Sequence, residues 1–412
     1  MSYPKSFAYY LSRVNNFSRQ QVKLQTFANT TFTPNQQLVI ELPQGLIDLS
    51  TFTLKGKVQT NGAGVYLPPV ELLWDSYAVE VGGVSVQNGF TNYGDLFNIF
   101  RQYQMEDKKN FRKILQLEGH QDANPLTADG VISSTLQPFA MYNFLGFLGS
   151  VKVLDTTLLP PVKIYFRLAP SSVLTKHGSS ATANPTFTLS EVRATVDILD
   201  IADGVYYNMI SQRLAQAPLE IPFENYQTVV GSSGNVSQNT RWSTSTDCLE
   251  AVIATFKVKD ANTLTHDTTT KLSSYFTRGT NGVSGTSIDT SQFKVNSIPY
   301  PATPCETVFG DVFVDTAHTL GASQDVLGAT DAGMATHPIW GQKYWVHAHS
   351  FTYPDADDGH KLIGLSGRAN QILGDWQTTG ITGSSDSLQP LMWLKCKSIL
   401  RIGSGKMVEL VL

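Results

Sequence analysis

The stretch LQPFAMYNFLGFLGSVKVLDTTLLPPVKIYFRL, Leu136–Leu168, joins the two patterns that decide the fold class. Its first part, PFAMYNFLGFLGS (Pro138–Ser150), has no charged side chain and contains three phenylalanines, one tyrosine and two leucines. Its last part, VKIYFRL (Val162–Leu168), alternates apolar residues with lysine, tyrosine and arginine. Because successive side chains of a strand point to opposite faces, VKIYFRL predicts a β-strand with one buried face. The charge-free part must pack against something apolar, because patches of this size are rarely left exposed.

The same alternation recurs on both sides of this stretch. The segments that share it are STFTLKGKVQT (50–60), EVRATVDIL (191–199), AVIATFKVK (251–259), QKYWVHAHSFTY (342–353), KLIGLSGRA (361–369), LMWLKCKSILRI (391–402) and KMVELVL (406–412). One segment with helical spacing, GDLFNIFRQYQMEDKKNFRKILQ (94–116), interrupts them and predicts a crossover helix between strands. The chain is therefore predicted to be an all-β protein of antiparallel sandwiches, with short crossover helices and long surface loops.

The length of 412 residues suits two domains better than one. The strand pattern lapses in DGVYYNMISQRLAQAPLEIPF (203–223), where we place the boundary. We predict a first sandwich over 21–205, a connector over 206–220 and a second sandwich over 221–412. The second sandwich contains a region, 260–338, that is rich in serine, threonine, glycine, alanine and aspartate, and we predict it to be a long outer loop.

The first twenty residues are predicted to form an amphipathic helical arm. Helical spacing gives this arm one apolar stripe, made of Phe7, Tyr10, Leu11, Val14 and Phe17. Two interpretations stay open. The helix packs under its own domain, or it is an arm that contacts a neighbouring subunit or an anionic lipid surface.

Charge and cysteine content narrow the classes of function. Charged residues make up only 16% of the chain, the net charge is −4 and no run of lysine or arginine is present, so we expect no direct binding to nucleic acid. Three cysteines without paired spacing predict free thiols in a reducing compartment. No secretory signal pattern and no window of about eighteen apolar residues is found, and we therefore expect a protein of the cell interior.

Two groups of residues are weak candidates for a metal site. His347 and His349 lie two apart on a predicted strand, so both rings point to one face, where His337 or His360 could complete a zinc or copper site. The simpler interpretation is a pair of half-exposed histidines, because no carboxylate stands at a convincing third position. Asp355 and Asp357 in PDADDG partly fit a calcium loop, but an acidic turn between strands fits better. We therefore predict no metal and no cofactor.

The opening stretch resembles a segment of the double jelly-roll major capsid proteins, the viral lineage of the adenovirus hexon, the tectiviruses, the polinton-like and adintovirus-like elements and the large eukaryotic DNA viruses. The residue types that carry this resemblance are at Pro138, Phe139, Phe144, Phe147, Leu154, Leu158, Leu159, Val162, Ile164, Phe166 and Leu168. A second segment, KLQTFANTTFTPNQQLVIELPQGLIDLSTFTLKGKVQT (Lys23–Thr60), is similar to the entry into the first roll of tectivirus-type coat proteins. Together the two segments cover about a sixth of the chain, and the second half is matched only in architecture.

The resemblance implies two consecutive eight-stranded jelly rolls and a structural protein without catalytic residues. It implies a homotrimer with a pseudo-hexagonal outline, assembled in the host-cell interior, whose partners in the virion are neighbouring capsomers, penton proteins and minor capsid proteins. The N-terminal arm would then lie on the inner face, against another capsomer or an internal lipid membrane. The residues expected at the subunit interface are Phe139, Tyr142, Phe144, Leu145 and Phe147, and the alternative is that they are buried under a helix of their own domain.

Two other classes of function remain open. A two-sandwich enzyme, such as a glycosidase, an amidase or a metal-dependent oxygenase, would need paired acidic groups in a cleft or a metal site built on His347 and His349. A carbohydrate-binding module would suit the loops rich in serine and threonine, but the missing signal pattern argues against it.

Overall fold

The computed structural model describes residues 17–25, 31–61, 65–68, 70–104, 136–176, 184–201, 204–258, 264–265, 287–321, 345–352, 363–367, 371–381 and 388–411. Within these ranges the chain is mostly β-structure. The helices described are α1 (Tyr93–Gln104), α2 (Phe147–Ser150), α3 (Gly204–Gln216) and α4 (Asp311–Leu320). No helix in the described part of the chain is long and apolar enough to cross a lipid bilayer.

The strands of the first half form two antiparallel sheets, apart from Val65–Tyr66 and Thr175–Lys176, which belong to a small third sheet. They are β1 (Phe17–Gln25), β2 (Thr31–Phe32), β3 (Gln37–Glu41), β4 (Leu46–Thr60), β5 (Val65–Tyr66), β6 (Trp74–Val81), β7 (Val84–Gln87), β8 (Gln137–Met141), β9 (Val153–Asp155), β10 (Val162–Leu168), β11 (Thr175–Lys176) and β12 (Phe187–Ile201). One sheet has the order β1-β12-β4-β8, with β2 also paired to β12 and β9 to β4. The other sheet has the order β3-β10-β6-β7.

The second half repeats this arrangement. Its strands are β13 (Leu219–Val230), β14 (Gln238–Thr244), β15 (Leu249–Val258), β16 (Leu264–Thr265), β17 (Ser287–Val295), β18 (Ile298–Glu306), β19 (His347–Ser350), β20 (Ile372–Ile381), β21 (Leu388–Gly403) and β22 (Met407–Val411). One sheet has the order β13-β21-β15-β19, with β22 also paired to β21, and the other has the order β14-β20-β17-β18. The prediction of an all-β chain with two consecutive sandwiches is confirmed.

Strands β4 and β10 show why these sequences form half-buried strands. In β4 the side chains of Phe52, Leu54 and Val58 are fully buried, and in β10 those of Ile164 and Phe166 are fully buried. The polar residues between them point the other way, as the burial patterns of the two strands show. The alternation read from the sequence is therefore the division between core and outer face.

A small third sheet joins the two halves. It has the order β16-β11-β5, and β11 pairs in parallel with β16, which belongs to the second half of the chain. On its other side β11 pairs antiparallel with β5 of the first half. The two halves therefore share backbone hydrogen bonds as well as packed side chains.

The predicted helical arm over 1–20 is wrong where the structure describes it. Residues 17–20 belong to β1, which runs antiparallel to β12 with Phe17 opposite Ile201 and Gln25 opposite Arg193. The helical spacing gave the wrong prediction because pairing with a neighbouring strand outweighs a local helical preference. All nine residues of β1 pair with residues of β12. Phe7, Tyr10, Leu11 and Val14 lie outside the described residues.

The predicted loop over 260–338 is also wrong in part. Its described residues contain the hairpin β17–β18 and helix α4, so the region is not one long excursion. The hairpin turns at Asn296 and Ser297, whose φ angles of 50° and 71° suit a tight two-residue turn between twisted strands. A register shift between Ile288 and Thr290 breaks the alternation of β17, which hides the strand from a period-two reading.

The predicted connector, 206–220, is mostly helix α3, followed by the first two residues of β13. Several α3 side chains face solvent, with Tyr207 54% and Met209 57% exposed. Tyr206 is tied down, since its hydroxyl donates to Asp155 Oδ2 at 3.2 Å. An exposed helix therefore lies in the chain between the last strand of the first half and the first strand of the second. The exact domain limits remain predictions.

The apolar core crosses from one half to the other. One cluster of buried side chains fills the first sandwich and continues into the second half through Phe223, Tyr226 and Trp393. A second cluster lies within the second sandwich, around Trp345 and Trp376. The contact between the sandwiches is therefore a continuation of a core and not a wet interface between independent domains.

Candidate functional sites

The charge-free segment 138–150 lies between the two sandwiches. Phe144 packs edge-on against Phe52, with ring centres 5.3 Å apart, and lies 5.9 Å from Phe166. Phe147 packs edge-on against Phe223 of β13 at 5.2 Å. The segment therefore connects the core of the first half to the first strand of the second.

Gln87, at the end of β7, ties this segment to β13. Its Nε2 donates to Asn225 Oδ1 at 2.7 Å, and its Oε1 accepts from the backbone N–H of Phe147 at 3.4 Å. The side chains of Gln87 and Asn225 are both buried. Gly146 is needed here because its φ is 71° and a Cβ would lie 2.7 Å from Gln87 Oε1.

Further contacts extend this contact zone along β13. Tyr226 stacks on Phe90 with ring centres 5.0 Å apart, and Thr228 Oγ1 donates to the carbonyl oxygen of Thr91 at 2.7 Å. Glu224 donates its backbone N–H to Ser150 Oγ at 3.0 Å. We call the contact between residues 223–228 of β13 and residues 87–95 and 147–150 of the first half the seam.

A partly buried ion pair extends the seam to β15. Lys257 Nζ donates to Asp95 Oδ2 at 2.7 Å, and the Asp95 side chain is only 7% exposed. Nearby, Trp393 Nε1 donates to the carbonyl oxygen of Thr91 at 3.4 Å. Apolar stacking, neutral hydrogen bonds and a charged pair thus act across the same interface.

The structure corrects part of the predicted subunit interface. Phe139, Phe144 and Phe147 are 2%, 9% and 0% exposed within the single chain, so they cannot anchor a second subunit without first unfolding. These residues are covered within the chain, but not by a helix of their own domain as the alternative had it: Phe52 and Phe166 of two strands cover Phe144, and Phe223 of the second half covers Phe147. Tyr142 and Leu145 are half-buried and stay available as candidates.

A second group of functional side chains lies inside the second sandwich, beside helix α4. His347 Nε2 donates to Asp315 Oδ2 at 3.2 Å, and His349 Nδ1 donates to the same oxygen at 2.8 Å. The Sγ of Cys305 lies within 4.8 Å of the Asp315 and His347 donor atoms. We call Cys305, Asp315, His347 and His349 the histidine cluster.

The framework around the histidine cluster fixes its geometry. Thr316 Oγ1 donates to the carbonyl oxygen of Val346 at 2.8 Å and accepts from the N–H of Ala348 at 3.0 Å. Val346 and Ala348 are the residues directly before and after His347. The two hydrogen bonds therefore fix the position of helix α4 beside the histidine. Ser291 Oγ lies 2.6 Å from His347 Nδ1 and accepts from Trp376 Nε1 at 2.9 Å.

The charges in the cluster follow from burial and pairing. Burial raises the pKa of the Cys305 thiol to about 12, and the carboxylates of Asp315 and Asp311 act in the same direction. Burial alone would raise the pKa of Asp315, but its hydrogen bonds from His347 and His349 outweigh that effect and lower the pKa to about 2. Burial also lowers the pKa of His347. At neutral pH Asp315 is therefore ionised, Cys305 is a thiol and His347 is neutral.

The order Ser291, His347, Asp315 resembles the hydrogen-bonded chain of a serine hydrolase but does not suit catalysis. Ser291 and His347 are 0% exposed, so no substrate reaches the hydroxyl. In the hydrolase arrangement the histidine Nε2 faces serine, whereas here Nδ1 faces Ser291 and Nε2 faces the carboxylate. The described residues of this region offer a closed site.

The sequence placed His347 and His349 on one strand face, and the structure brings both to Asp315. Asp315 and Cys305 were missed because both lie in the region predicted to be a loop, 32 residues before His347 in the case of Asp315. An amphipathic pattern in DVFVDTAHTL, with Val312, Thr316 and Leu320 buried, was the signal that could have found α4. Asp355 and Asp357 lie outside the described residues, as do His337 and His360.

The surface has two further features, a group of exposed apolar side chains near α4 and a cleft beside α3. Exposed apolar side chains gather at the start of α4, where Val308, Phe309 and Val314 are 67%, 78% and 51% exposed. Beside α3 a cleft of about 760 Å³ is lined from both halves, by Tyr206 and Arg213 among others. Its lining includes two acidic residues, Asp155 of β9 and Glu220 of β13.

No family model matches the sequence, and no curated protein does. Solved structures, in contrast, match it over nearly its whole length. PBCV-1 VP54, as fitted into a cryo-EM reconstruction of the virophage Sputnik, is 16% identical with a TM-score of 0.61, and the match covers 99% of each chain. The Faustovirus major capsid protein is 9% identical with a TM-score of 0.58, and 96% of this chain and 92% of that chain are covered. The mavirus major capsid protein is 9% identical with a TM-score of 0.51, covering 100% of this chain and 95% of that one.

These matches include both halves of the chain in a single superposition. At such low identity they establish the fold, and that fold is the double jelly roll of viral major capsid proteins. The fold class expected from the opening stretch is therefore confirmed.

Proposed function

We propose that the chain is the major capsid protein of an icosahedral virus and that its role is structural and not catalytic. The observation that carries the proposal is the match of both sandwiches together, over 99% of each chain, to PBCV-1 VP54. Single sandwiches occur in enzymes and binding modules alike, so a match to one half would carry little weight. Two rolls held side by side by a continuous core are a much narrower arrangement.

The physical role of such a molecule follows from its repeat. One chain presents two similar wedges, so three chains around a threefold axis present six and fill a hexagonal position in a shell. A homotrimer without disulfides needs large apolar contacts, typically on the order of 2,000–5,000 Å². We therefore propose a homotrimer with a pseudo-hexagonal outline as the building unit.

The subunit contact is proposed to use side chains that the single chain leaves open. Tyr142 and Leu145 remain from the residues expected at the interface. Val308, Phe309 and Val314 are added because large exposed apolar side chains that lie close together are typical of contact surfaces. The three buried phenylalanines of segment 138–150 instead shape the subunit.

The wider partners are proposed from the same role. Neighbouring capsomers, penton proteins and minor capsid proteins would complete the shell, and assembly would take place in the host-cell interior. Residues 1–16, with the apolar stripe at Phe7, Tyr10, Leu11 and Val14, would contact a neighbouring capsomer or an internal lipid membrane on the inner face. With a net charge of −4 and no basic run, the chain is not proposed to bind the genome.

The test is the mass and the shape of the purified full-length protein. Light scattering after gel filtration should give a stable species of three times the chain mass of 45.2 kDa, and negative-stain images should show particles with a hexagonal outline. A species that stays monomeric at every concentration that can be reached and forms no particles with a hexagonal outline would overturn the proposal.

A further inference from the structure

The histidine cluster contains three chemically different metal-binding groups. A thiol, a carboxylate and an imidazole come from β18, α4 and β19, and their donor atoms in Cys305, Asp315 and His347 lie within 4.8 Å of one another. The separation of 3.2 Å between His347 Nε2 and Asp315 Oδ2 is close to the distance between two ligands on one tetrahedral ion whose bonds are about 2.0–2.2 Å long. Two consecutive elements, β18 and α4, thus converge with β19, whose His347 lies 32 residues after Asp315.

We propose that Cys305, Asp315 and His347 bind one Zn²⁺ ion that ties helix α4 to the hairpin β17–β18 and to β19. Sulfur, nitrogen and carboxylate oxygen are the ligands that zinc takes in proteins, and a mixed set of this kind is less suited to Ca²⁺ or Mg²⁺, which prefer oxygen alone. Cys305 and His347 are 6% and 0% exposed, so the site is closed on their side. The inference does not depend on the proposed capsid role.

The neighbours of the ligands are placed as outer-sphere partners of a metal site. A metal-binding histidine usually donates its second ring N–H to a fixed acceptor, and Ser291 Oγ lies 2.6 Å from His347 Nδ1. Ser291 is itself held by Trp376 Nε1 at 2.9 Å. Metal-binding carboxylates are likewise hydrogen-bonded, and His349 Nδ1 donates to Asp315 Oδ2 at 2.8 Å. His349 is therefore a positioning residue for the carboxylate.

Proton balance accompanies the binding of the ion. The thiol of Cys305 must lose its proton to bind as a thiolate, and that proton leaves to solvent. The proton on His347 moves from Nε2, which binds the ion, to Nδ1, which then donates to Ser291 Oγ, so the ring stays neutral. The three protein groups would leave one position of a tetrahedral ion for a water molecule, and the Asp315 side chain, which is 22% exposed, is within reach of solvent.

The role inferred for the ion is structural stabilisation of helix α4. The helix is capped by Gly310 and Gly321, both in the left-handed conformation, and it is held to Ala348 of β19 by hydrogen bonds of Thr316 and Thr319. An ion that binds only the folded state raises stability by mass action. Occupancy would therefore fix the exposed apolar residues at the start of α4 in place.

The experiment uses the full-length protein, dialysed against a chelator and titrated with Co²⁺ and then with Zn²⁺. We expect one Co²⁺ per chain, with visible bands of tetrahedral Co²⁺ and a near-ultraviolet band from thiolate to cobalt, and we expect Zn²⁺ to displace it. At free Zn²⁺ about 100 times Kd, the midpoint of thermal unfolding should rise by roughly 3 °C.

Cys305→Ser should remove the thiolate band and weaken Zn²⁺ binding more than about tenfold, and Asp315→Asn should weaken it by a similar factor. The matched control is Cys248→Ser, which removes another buried thiol of the same half and should leave binding unchanged. Circular dichroism at low temperature checks that each variant is folded. The proposal is overturned if the unaltered protein takes up no Co²⁺ or Zn²⁺ at micromolar concentrations, or if Cys305→Ser binds as tightly as the parent with the same spectrum.

Discussion

Phe144 shows what a single residue reveals in the sequence and what it does not. Its place in a charge-free segment predicted that it would be covered, and it is only 9% exposed. The sequence could not predict which residues cover it. The hydrophobic effect is not directional, and a core and a subunit contact require the same residue types. The contacts that decide this come from Phe52 of β4, much earlier in the chain, and from Phe166 of β10, the next long strand after the segment.

Phe144→Asp should therefore unfold the subunit instead of only blocking its assembly. A buried charge without a partner, added to the loss of a phenylalanine side chain, should lower the free energy of unfolding by about 4 kcal/mol or more. Urea unfolding followed by circular dichroism measures this change.

The matched control is Tyr207→Asp, which places the same charge at an aromatic side chain that is 54% exposed and lies outside the proposed subunit contact. We expect its free energy of unfolding to change by less than about 1 kcal/mol. If Phe144→Asp were as stable as Tyr207→Asp, the burial described for the segment would be wrong.

The histidine cluster teaches the same lesson for polar residues. The H-x-H spacing placed His347 and His349 on one face of a strand, because side chains two apart share a face. The third and fourth members, Asp315 and Cys305, could not be found from spacing, since the topology of α4 and β18 decides which residues meet. Metal sites assembled from distant elements have no short sequence signature.

At the scale of elements, regular strands were easy to predict and irregular ones were not. Strand β10 alternates strictly and β4 alternates from Phe52 onward, and these segments were located correctly. Strand β17 has a bulge, and the described part of 260–338 is rich in small polar residues, so neither the period nor the composition indicated a hairpin there. Strand β1 was mistaken for helix because edge pairing depends on a partner, β12, that the local sequence does not contain.

The seam predicts a measurable coupling between β7 and β13. Removing either member of the buried pair Gln87 and Asn225 leaves the other without its hydrogen bond, so Gln87→Ala and Asn225→Ala should each lower the free energy of unfolding by about 1–3 kcal/mol. The double variant should cost clearly less than the sum of the two, with a coupling energy between about 0.5 and 3 kcal/mol. Urea unfolding of the four proteins gives the cycle.

The comparison for that cycle is the cross-strand ion pair of Lys57 and Glu191, whose atoms are 2.7 Å apart and whose side chains are 41% and 61% exposed. Exposed pairs of this kind contribute little, so the same cycle on Lys57 and Glu191 should give a coupling below about 1 kcal/mol. Equal coupling energies in the two cycles would show that Gln87 and Asn225 are not a buried link between the halves.

At the scale of the whole molecule, the length and the two runs of strands predicted two sandwiches, and the structure confirms them. The seam was not predicted, because nothing in the sequence marks residues 223–228 as different from any other strand. The seam has a consequence for the cooperativity of unfolding. Two sandwiches with a shared core unfold together, since neither half buries its part of that core alone.

All three cysteines lie in the second half and are buried, which makes their reactivity a local probe. Burial raises the pKa of Cys248 to about 11 and that of Cys396 to about 12, so at pH 8 the folded protein has very little thiolate there. Unfolding returns these thiols to their usual, lower pKa and makes them reactive.

We therefore expect thiol labelling at pH 8, which reports the second half, and circular dichroism, which reports both halves, to give the same urea midpoint. Tyr226→Ala removes the ring stacked on Phe90 and should separate the two midpoints. Two distinct midpoints in the unaltered protein would mean that the halves unfold independently.

The exposed connector helix α3 leads to a last consequence. The contacts of β13 hold the two halves in place, so the length of the connecting helix does not set their relative position. Lengthening or shortening α3 would therefore leave the arrangement of the two halves intact. The stacked rings of Phe90 and Tyr226 would keep the two halves aligned whatever the length of that helix.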